Sequence, residues 1–379
     1  MSSMKIAMYL FHTFRNDHRV LKEARSLLSA GHEVVLIALR EGDELPRERV
    51  EDGIRVLRLR IPARRFRKGR YAEYFVRAAL AGLSARADAH HCHDLDTLVP
   101  AALASCFCHK PLIYDSHELF TETHFLVGRE KERRIWAFLE KRFIRFAARV
   151  LTVSDPIADD LAARYGIERP LVVRNCPEYR TPPPPRPFFE DAGGEPVLLC
   201  QGYLQKGRGL ETLVGAMRHV PRGRLVLLGD GEMKEELARL VALLHLEEKV
   251  TLLPAVPIEE LPSRTASATL GFVLYSTASL NFRYALPNKF FEYVMAGVPV
   301  VSSRIPEIAR LIEEHGVGRI VDPVSPETVA REVNRLLEDP DAIARMRENC
   351  LRAARVLHWG VEEKKLLSLY EEIASRNRK

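Results

Sequence analysis

Residues 196–220 read PVLLCQGYLQKGRGLETLVGAMRHV. An apolar run comes first, then a loop with glycines at 202, 207 and 209, then a helical pattern from Gly209 onward. Strand, loop and helix in that order form the building unit of a parallel sheet with helices on its faces. The loop also has a chemical reading. Glycines let a backbone come close to a ligand, Lys206 and Arg208 supply positive charge, and a helix N-terminus offers free N–H groups to a phosphate. The plain alternative is an ordinary connecting loop with solvated cations.

The same unit repeats outward from this stretch. Downstream come RLVLLGDG, EMKEELARLVALLHL, KVTLLPAV, LGFVLYS, a helix at 288–296 and PVVSS. Upstream, KIAMYLF, HEVVLIAL, IRVLRLRI, PLIYDSHE and RVLTVS read as strands, and NDHRVLKEARSLLSAG as a helix with Asn16 or Asp17 as its N-cap. Between the two series lies CPEYRTPPPPRP at 176–187, six of whose twelve residues are proline. No helix interior or central strand tolerates that. The chain is therefore expected to hold two α/β domains, 1–180 and 181–357, with a final helical segment at 358–379 that could cross back to the first. Open parallel sheets bind ligands at the carboxyl ends of their strands, so a cleft between two such domains is the expected site.

Composition narrows the function. The 379 residues are 46% hydrophobic and 28% charged, with a net charge of +6, which admits phosphate-bearing ligands, anionic membranes or nucleic acid without choosing among them. Cys92, Cys106, Cys108, Cys176, Cys200 and Cys350 are scattered with no C-x-x-C pair, so neither a disulfide framework nor a zinc knuckle is expected. No uncharged apolar run approaches a membrane span, and MSSMKIAMYLF is too short in apolar residues for a signal peptide. A cytoplasmic protein is expected.

Several stretches carry chemistry. LPNKFFEYVMAGVPVV at 286–301 sets one carboxylate, Glu292, in an apolar helix. A buried carboxylate needs a partner, either a ligand or a neighbour such as Lys289. HHCHDLD at 90–96 invites a metal reading, or Asp94-Leu95-Asp96 a D-x-D motif, but the spacing fits no standard zinc site and no metal is expected. No G-x-G-x-x-G follows the first strand and no P-loop is present. Residues 129–149, REKERRIWAFLEKRFIRFAAR, are strongly basic: Arg134, Lys141 and Arg145 share one helical stripe, while Ile135, Leu139, Phe143, Phe146 and Val150 form another, expected to pack on the sheet. Upstream, RRFRKGRYAEYF adds five cations among Phe66, Tyr71, Tyr74 and Phe75. Such segments can lie on an anionic membrane. No nucleic-acid recognition motif accompanies the charge.

Taken together, GYLQKGRGLETLVGAM, LVLLGDGEMKEEL, VTLLPAVPIEEL, LPNKFFEYVMAGVPVVSSRIPEIARLI and GVGRIVDP resemble the nucleotide-sugar domain of glycosyltransferase family 4, the retaining "glycosyl transferases group 1". NDHRVLKEARSLLSAGHEVVLIA, HCHDLD, IYDSHELF, LTVSDPIADDL and the tail HWGVEEKKLLSLYEEI resemble its acceptor domain. The resemblance implies an α/β fold of GT-B architecture, two Rossmann-like domains facing each other across a cleft.

It also implies roles. Glu292 matches the second Glu of the family's E-x7-E motif, which accepts hydrogen bonds from the donor ribose; Tyr284 stands where the first Glu would be. Gly202, Gly207, Gly229, Leu286, Pro287, Asn288 and Lys289 fall on the donor side, Lys206 and Arg208 on the departing diphosphate, and His117 beside the reacting sugar. Asn16, Asp17, Arg19 and Asp94 fall on the acceptor side. The implied activity is metal-independent transfer of a sugar from a UDP- or GDP-type donor to a glycan or lipid-linked acceptor, with no cofactor and with an anionic membrane surface as a further partner. A nucleotide-sugar epimerase of the same fold and a non-catalytic nucleotide-sugar-binding subunit are the alternatives, the second favoured by Tyr284.

Overall fold

The computed structural model describes residues 3–14, 17–40, 47–61, 67–189 and 194–376. Two compact units result, one ending at Arg174 and taking in the chain from Glu362 onward, the other running from Asn175 to Val361. The division thus falls a few residues before the proline run. The closing helix Trp359–Arg376 lies mostly in the first unit.

The first unit contains β1 (Lys5–Tyr9), β2 (Glu33–Arg40), β3 (Glu48–Glu51), β4 (Ile54–Arg60), β5 (Ala89–His93), β6 (Leu112–Ser116), β7 (Ala147–Thr152) and β8 (Leu171–Val172). They form one sheet in the order β3-β4-β2-β1-β5-β6-β7-β8. All neighbours are parallel except β3, which pairs antiparallel with β4 across a turn where Asp52 and Gly53 both have positive φ. That edge hairpin is not announced by the strand–helix alternation. β5 and β6 are buried along their whole length, as strands covered on both faces must be. Yet they carry His90, His91, His93 and Asp115.

The second unit contains β9 (Val197–Gln201), β10 (Arg224–Leu228), β11 (Val250–Leu253), β12 (Leu270–Val273), β13 (Val300–Ser303) and β14 (Gly318–Val321). Their order is β11-β10-β9-β12-β13-β14, all parallel. Among the parallel strands of each sheet the order reverses once: at β1, flanked by β2 and β5, and at β9, flanked by β10 and β12. Those reversals open crevices at the strands' carboxyl ends, where open α/β sheets take ligands.

The helix Glu130–Phe143 departs from the expected packing. Its buried residues are Trp136 and Glu140, whose carboxylate accepts hydrogen bonds from Tyr114 and Tyr165 at 2.9 and 2.6 Å. Ile135 and Phe146, expected against the sheet, are exposed, as is Phe138. Two tyrosine hydroxyls make a polar side chain the better anchor, so the apolar stripe does not set the buried face. Of the upstream aromatics, Phe66 lies outside the described residues. Tyr74 is fully buried and Tyr71 stacks on Phe11, so both serve the interior.

Packing is tight where β12 meets the helix Asn288–Met295. A Cβ at Gly271 would lie 2.6 Å from the Tyr293 ring, and that ring is pinned by its hydroxyl, which accepts from Gln201 N–H and donates to the Leu199 carbonyl. Gly271→Ala should therefore destabilise the second unit by roughly 1–3 kcal/mol, lowering its calorimetric unfolding temperature by several degrees. An unchanged transition would show that the ring yields freely.

Candidate functional site

Each crevice holds a cluster of polar side chains. In the second unit the cluster is built on the last residue of β9. Gln201 is buried; its amide nitrogen donates to Glu292 at 2.6 Å, and its oxygen accepts from the Thr265 hydroxyl at 2.9 Å. The chain Thr265–Gln201–Glu292 fixes the carboxylate's direction. Glu292 itself is half-buried, so a ligand can still reach it. Beside it, the buried Lys289 sets its ammonium 5.6 Å from the Tyr275 ring centroid and 3.8 Å from Cys200 Sγ. The Arg208 guanidinium lies 5.4 Å from the same ring and donates to the Tyr203 carbonyl. Two cations thus share one aromatic ring, and among the described residues neither ion-pairs with a carboxylate. Held on a ring instead of a counter-ion, they remain available to an anion.

The glycines explain how this cluster closes up. Gly202 has its Cα beside Lys289 Cε and Arg208 Nη1, where a Cβ would lie 3.7 and 3.9 Å away, and it has a φ of 110°. Gly229 has a packing task of its own. Its N–H donates to the Leu253 carbonyl, and a Cβ would lie 2.0 Å from the Gly202 oxygen, so close backbone approach already requires glycine there. Gly207 faces the Phe282 ring in the same way. Leu286 has its side chain in the core, and Pro287, the helix N-cap, has no N–H to offer, so Asn288 and Lys289 carry the first amides of that helix. Lys206 is exposed. Tyr284 ends the short helix Leu280–Arg283.

In the first unit, His117 is gripped on both sides. Its Nε2 meets Asp115 Oδ2 at 2.9 Å, its Nδ1 meets Asp94 Oδ2 at 3.3 Å, and its backbone N–H donates to Asp94 Oδ1. Burial disfavours the charged ring, but the two carboxylates outweigh it and push the pKa up to about 10. Asp94 adopts φ 62° and ψ 169°, a region nearly confined to glycine, at a cost of ~1–3 kcal/mol. Such strain persists where the surroundings over-determine the residue; here the Asp94 N–H is tied to the Asp115 carbonyl and its side chain to His117.

Arg19, expected on the acceptor side, is instead interior. Nε and Nη2 fork onto Asp115 at 2.9 Å, Nη1 donates to the Val173 carbonyl at 2.8 Å, and Glu23 lies 3.0 Å from Nε. With every donor nitrogen so engaged it positions Asp115 and does not meet a ligand. Asp17 caps the helix His18–Ser29 by accepting from Val20 N–H, and its other oxygen meets His12 at 3.0 Å. Burial opposes ionisation of Asp17, but the His12 contact and the His117 charge hold it well below the usual carboxylate range. Asn16 lies outside the described residues. Sequence reading missed Gln201, Thr265, Tyr275, Asp115 and Glu23. A signal existed for two of them: Asp115 precedes His117 by two in YDSH, and Glu23 follows Arg19 by four on a helix.

Comparison with known proteins bears on both units. A family model described as Glycosyl transferase 4-like domain matches residues 17–177, and one described as Glycosyl transferases group 1 matches residues 186–355. The GDP-mannose-dependent alpha-(1-6)-phosphatidylinositol monomannoside mannosyltransferase of Mycolicibacterium smegmatis is 30% identical over 160 residues, 41% of this chain and 42% of that protein. Alpha-D-kanosaminyltransferase of Streptomyces kanamyceticus is 26% identical over 240 residues, 56% of this chain and 57% of that protein. The matched stretches span 42% and 57% of those two curated relatives' lengths, less than two thirds of either. Among solved structures, sucrose-phosphate synthase from Thermosynechococcus elongatus superposes with a TM-score of 0.81 over 98% of this chain and 99% of its own, at 18% identity. HepE from Anabaena, in complex with UDP-glucose, gives 0.77 over 97% and 100%, also at 18%.

The His117 contacts set a pH dependence. A folded pKa raised from 6.5 to about 10 adds stability that is present below the unfolded value and lost as pH rises through about 10. His117→Gln should remove that share of the decline between neutrality and about 10, as read by urea unfolding at stepped pH. A variant whose stability falls as steeply as the wild type's would refute the charged pairing.

Proposed function

The chain belongs to the family 4, group 1 glycosyltransferases and has their GT-B fold, and on that premise we propose that it is a retaining transferase moving a sugar from a nucleoside diphosphate donor to a glycan or lipid-linked acceptor. The observation that carries this reading is the group on β9: a carboxylate aimed by Gln201 next to two cations stacked on Tyr275. Glu292 accepts from the ribose hydroxyls. Lys289 and Arg208, with the Asn288 and Lys289 amides at the helix start, meet the diphosphate. As the glycosidic bond breaks, positive charge grows on the sugar ring and negative charge on the leaving phosphate. Fixed cations that gain contact strength in that state lower the barrier. They supply what a metal supplies elsewhere, so turnover should persist in EDTA. The strained Asp94 and the His117 it holds are the acceptor-side groups. The two curated relatives named above are transferases by title, which supports transfer over epimerisation. Among the proteins named above, titles include both GDP-mannose and UDP-glucose, and the donor of this chain is taken to be one of those two nucleotide types.

A membrane-facing acceptor side is the second part of this reading. No described helix is long and apolar enough to cross a membrane. On the helix Glu130–Phe143 and just beyond it, Arg134, Phe138, Lys141 and Arg145 are all exposed and follow at helical spacing, with exposed Ile135 beside them. A groove of about 820 Å³ opens at its end, bounded in part by Arg145, Arg149, Arg169 and Lys364, with Glu168 and Glu372 opposing. Aromatic and aliphatic side chains interleaved with cations suit an anionic bilayer surface, each cation contributing ~1 kcal/mol.

Two experiments follow. Glu292→Gln should keep the fold and weaken nucleoside diphosphate binding by about 1.5–3 kcal/mol, the range for a hydrogen bond to a charged group, measured by titration calorimetry. Undiminished affinity in the folded variant rejects the ribose role. In vesicle co-sedimentation, binding should rise with anionic lipid, fall with salt, and drop when Arg134, Lys141 and Arg145 become Glu. Wild-type protein remaining in the supernatant at low salt would point to a soluble acceptor.

A further inference from the structure

Of one cluster in the first unit, the transfer reading uses only Asp115, which positions His117. His91 and His93 are two apart on β5 and so point to one face of the sheet. His93 is the register partner of Asp115 on β6, and Glu23 comes from the helix His18–Ser29. One ligand-capable atom from each of these four buried residues lies within 4.8 Å of the other three. We propose that Glu23, His91, His93 and Asp115 form a buried structural site for one divalent transition metal of the zinc class, tying that helix to β5 and β6.

Three observations carry the proposal. The first is unmet hydrogen bonding. His91 Nε2, His93 Nε2 and both Glu23 oxygens are buried without a hydrogen-bond partner, though Glu23 has Arg19 Nε at 3.0 Å and His91 Nε2 at 3.8 Å as neighbours. Interiors rarely leave so many polar atoms unmet in one place, and one ion accepts lone pairs from all of them.

The second is what the opposite ring nitrogens do. His91 Nδ1 meets the Tyr370 hydroxyl at 2.8 Å, and His93 Nδ1 lies 3.5 Å from Asp115 Oδ2 and 3.3 Å from His117 Nε2. A ligating imidazole characteristically donates its other N–H to an oxygen, which fixes the tautomer that frees Nε2. Zinc bonds of about 2.0–2.2 Å to nitrogen and oxygen place tetrahedral ligand atoms roughly 3.3 Å apart, so the His91–Glu23 separation of 3.8 Å closes by about 0.5 Å and the others, within 4.8 Å, by at most about 1.5 Å. On Asp115, Oδ2 is shared by Arg19, His117 and, more distantly, His93, while Oδ1 accepts only Arg19 Nη2 among the described residues and keeps a lone pair.

The third is charge. The fully buried carboxylates of Glu23 and Asp115 share one buried cation, Arg19. That leaves negative charge in a dry interior, which a divalent ion compensates. Two imidazoles with two carboxylates suit a borderline metal better than magnesium or calcium, which prefer all-oxygen shells. The competing arrangement is a proton on Glu23: burial, with Asp115 alongside, pushes its pKa up to about 8.

Metal content decides between them. The full chain, purified without a metal-chelating tag from cells grown with added zinc, should hold about one ion per chain by elemental analysis and keep it through dialysis against EDTA. Unfolding with chelator and refolding without metal should lower the melting temperature; refolding with Zn²⁺ should restore it, and refolding with Co²⁺ should give visible ligand-field bands. His91→Gln and His93→Gln should lose the ion, while His358→Gln, outside the cluster, keeps it. A wild type holding less than about a tenth of an ion per chain, with refolding indifferent to Zn²⁺ and Co²⁺, overturns the proposal and leaves the proton on Glu23. Because the wild type alone gives that answer, a variant that fails to fold does not blur it.

Discussion

Arg19 is a guanidinium in a place with almost no water, and the first unit is arranged around that fact. A buried cation is tolerable only if its donors are met and its charge is balanced. Asp115 takes two of its nitrogens, Glu23 lies against one, and the Val173 carbonyl takes another. Those partners come from β6, from the helix that carries Arg19 and from the residue after β8. The fork therefore fixes Asp115 in rotation, and Asp115 in turn sets His117. Removing one member of such a group exposes the rest as uncompensated charge, at ~3–5 kcal/mol.

Among the described residues, the second unit has no buried ion pair where the helix Asn288–Met295 meets β9. Tyr293 ties the helix Asn288–Met295 to β9 through neutral hydrogen bonds, Gln201 adds one to the Glu292 carboxylate, and the two cations lie against the Tyr275 ring. The difference suits the two tasks. An interior that spends its cations on its own carboxylates has a fixed shape. A crevice that rests them on an aromatic face keeps their field for a diphosphate.

The strand–helix alternation and the proline run were enough to read two parallel α/β units, because period and chain stiffness are local properties. Glu292 was legible for a similar reason: a single carboxylate in an apolar helix is conspicuous. Arg19 was not. On a helix surface and in a buried fork the residue looks the same in sequence; only the register between β5 and β6 puts Asp115 where it must be met. Gly229 could not be read from sequence in full, since a glycine at a strand end suits both phosphate contact and backbone crossing, and only the structure reveals the crossing with Gly202. The helix Glu130–Phe143 shows the limit of hydrophobic periodicity, because two tyrosine hydroxyls made Glu140 the anchor.

The closing helix has a consequence for synthesis. Leu366, Leu369, Tyr370 and Ile373 are buried, and Tyr370 reaches His91 on β5. The first unit is thus encoded in two pieces with the second unit inserted between them. On the ribosome the second unit can complete its core from a continuous stretch, while the earlier one waits, with part of its sheet uncovered, until more than 180 further residues have emerged. At roughly 5–20 residues per second that is a pause of about ten to forty seconds. During it His91 on β5 is left without its Tyr370 partner, and an imidazole at that place withstands water better than a leucine would.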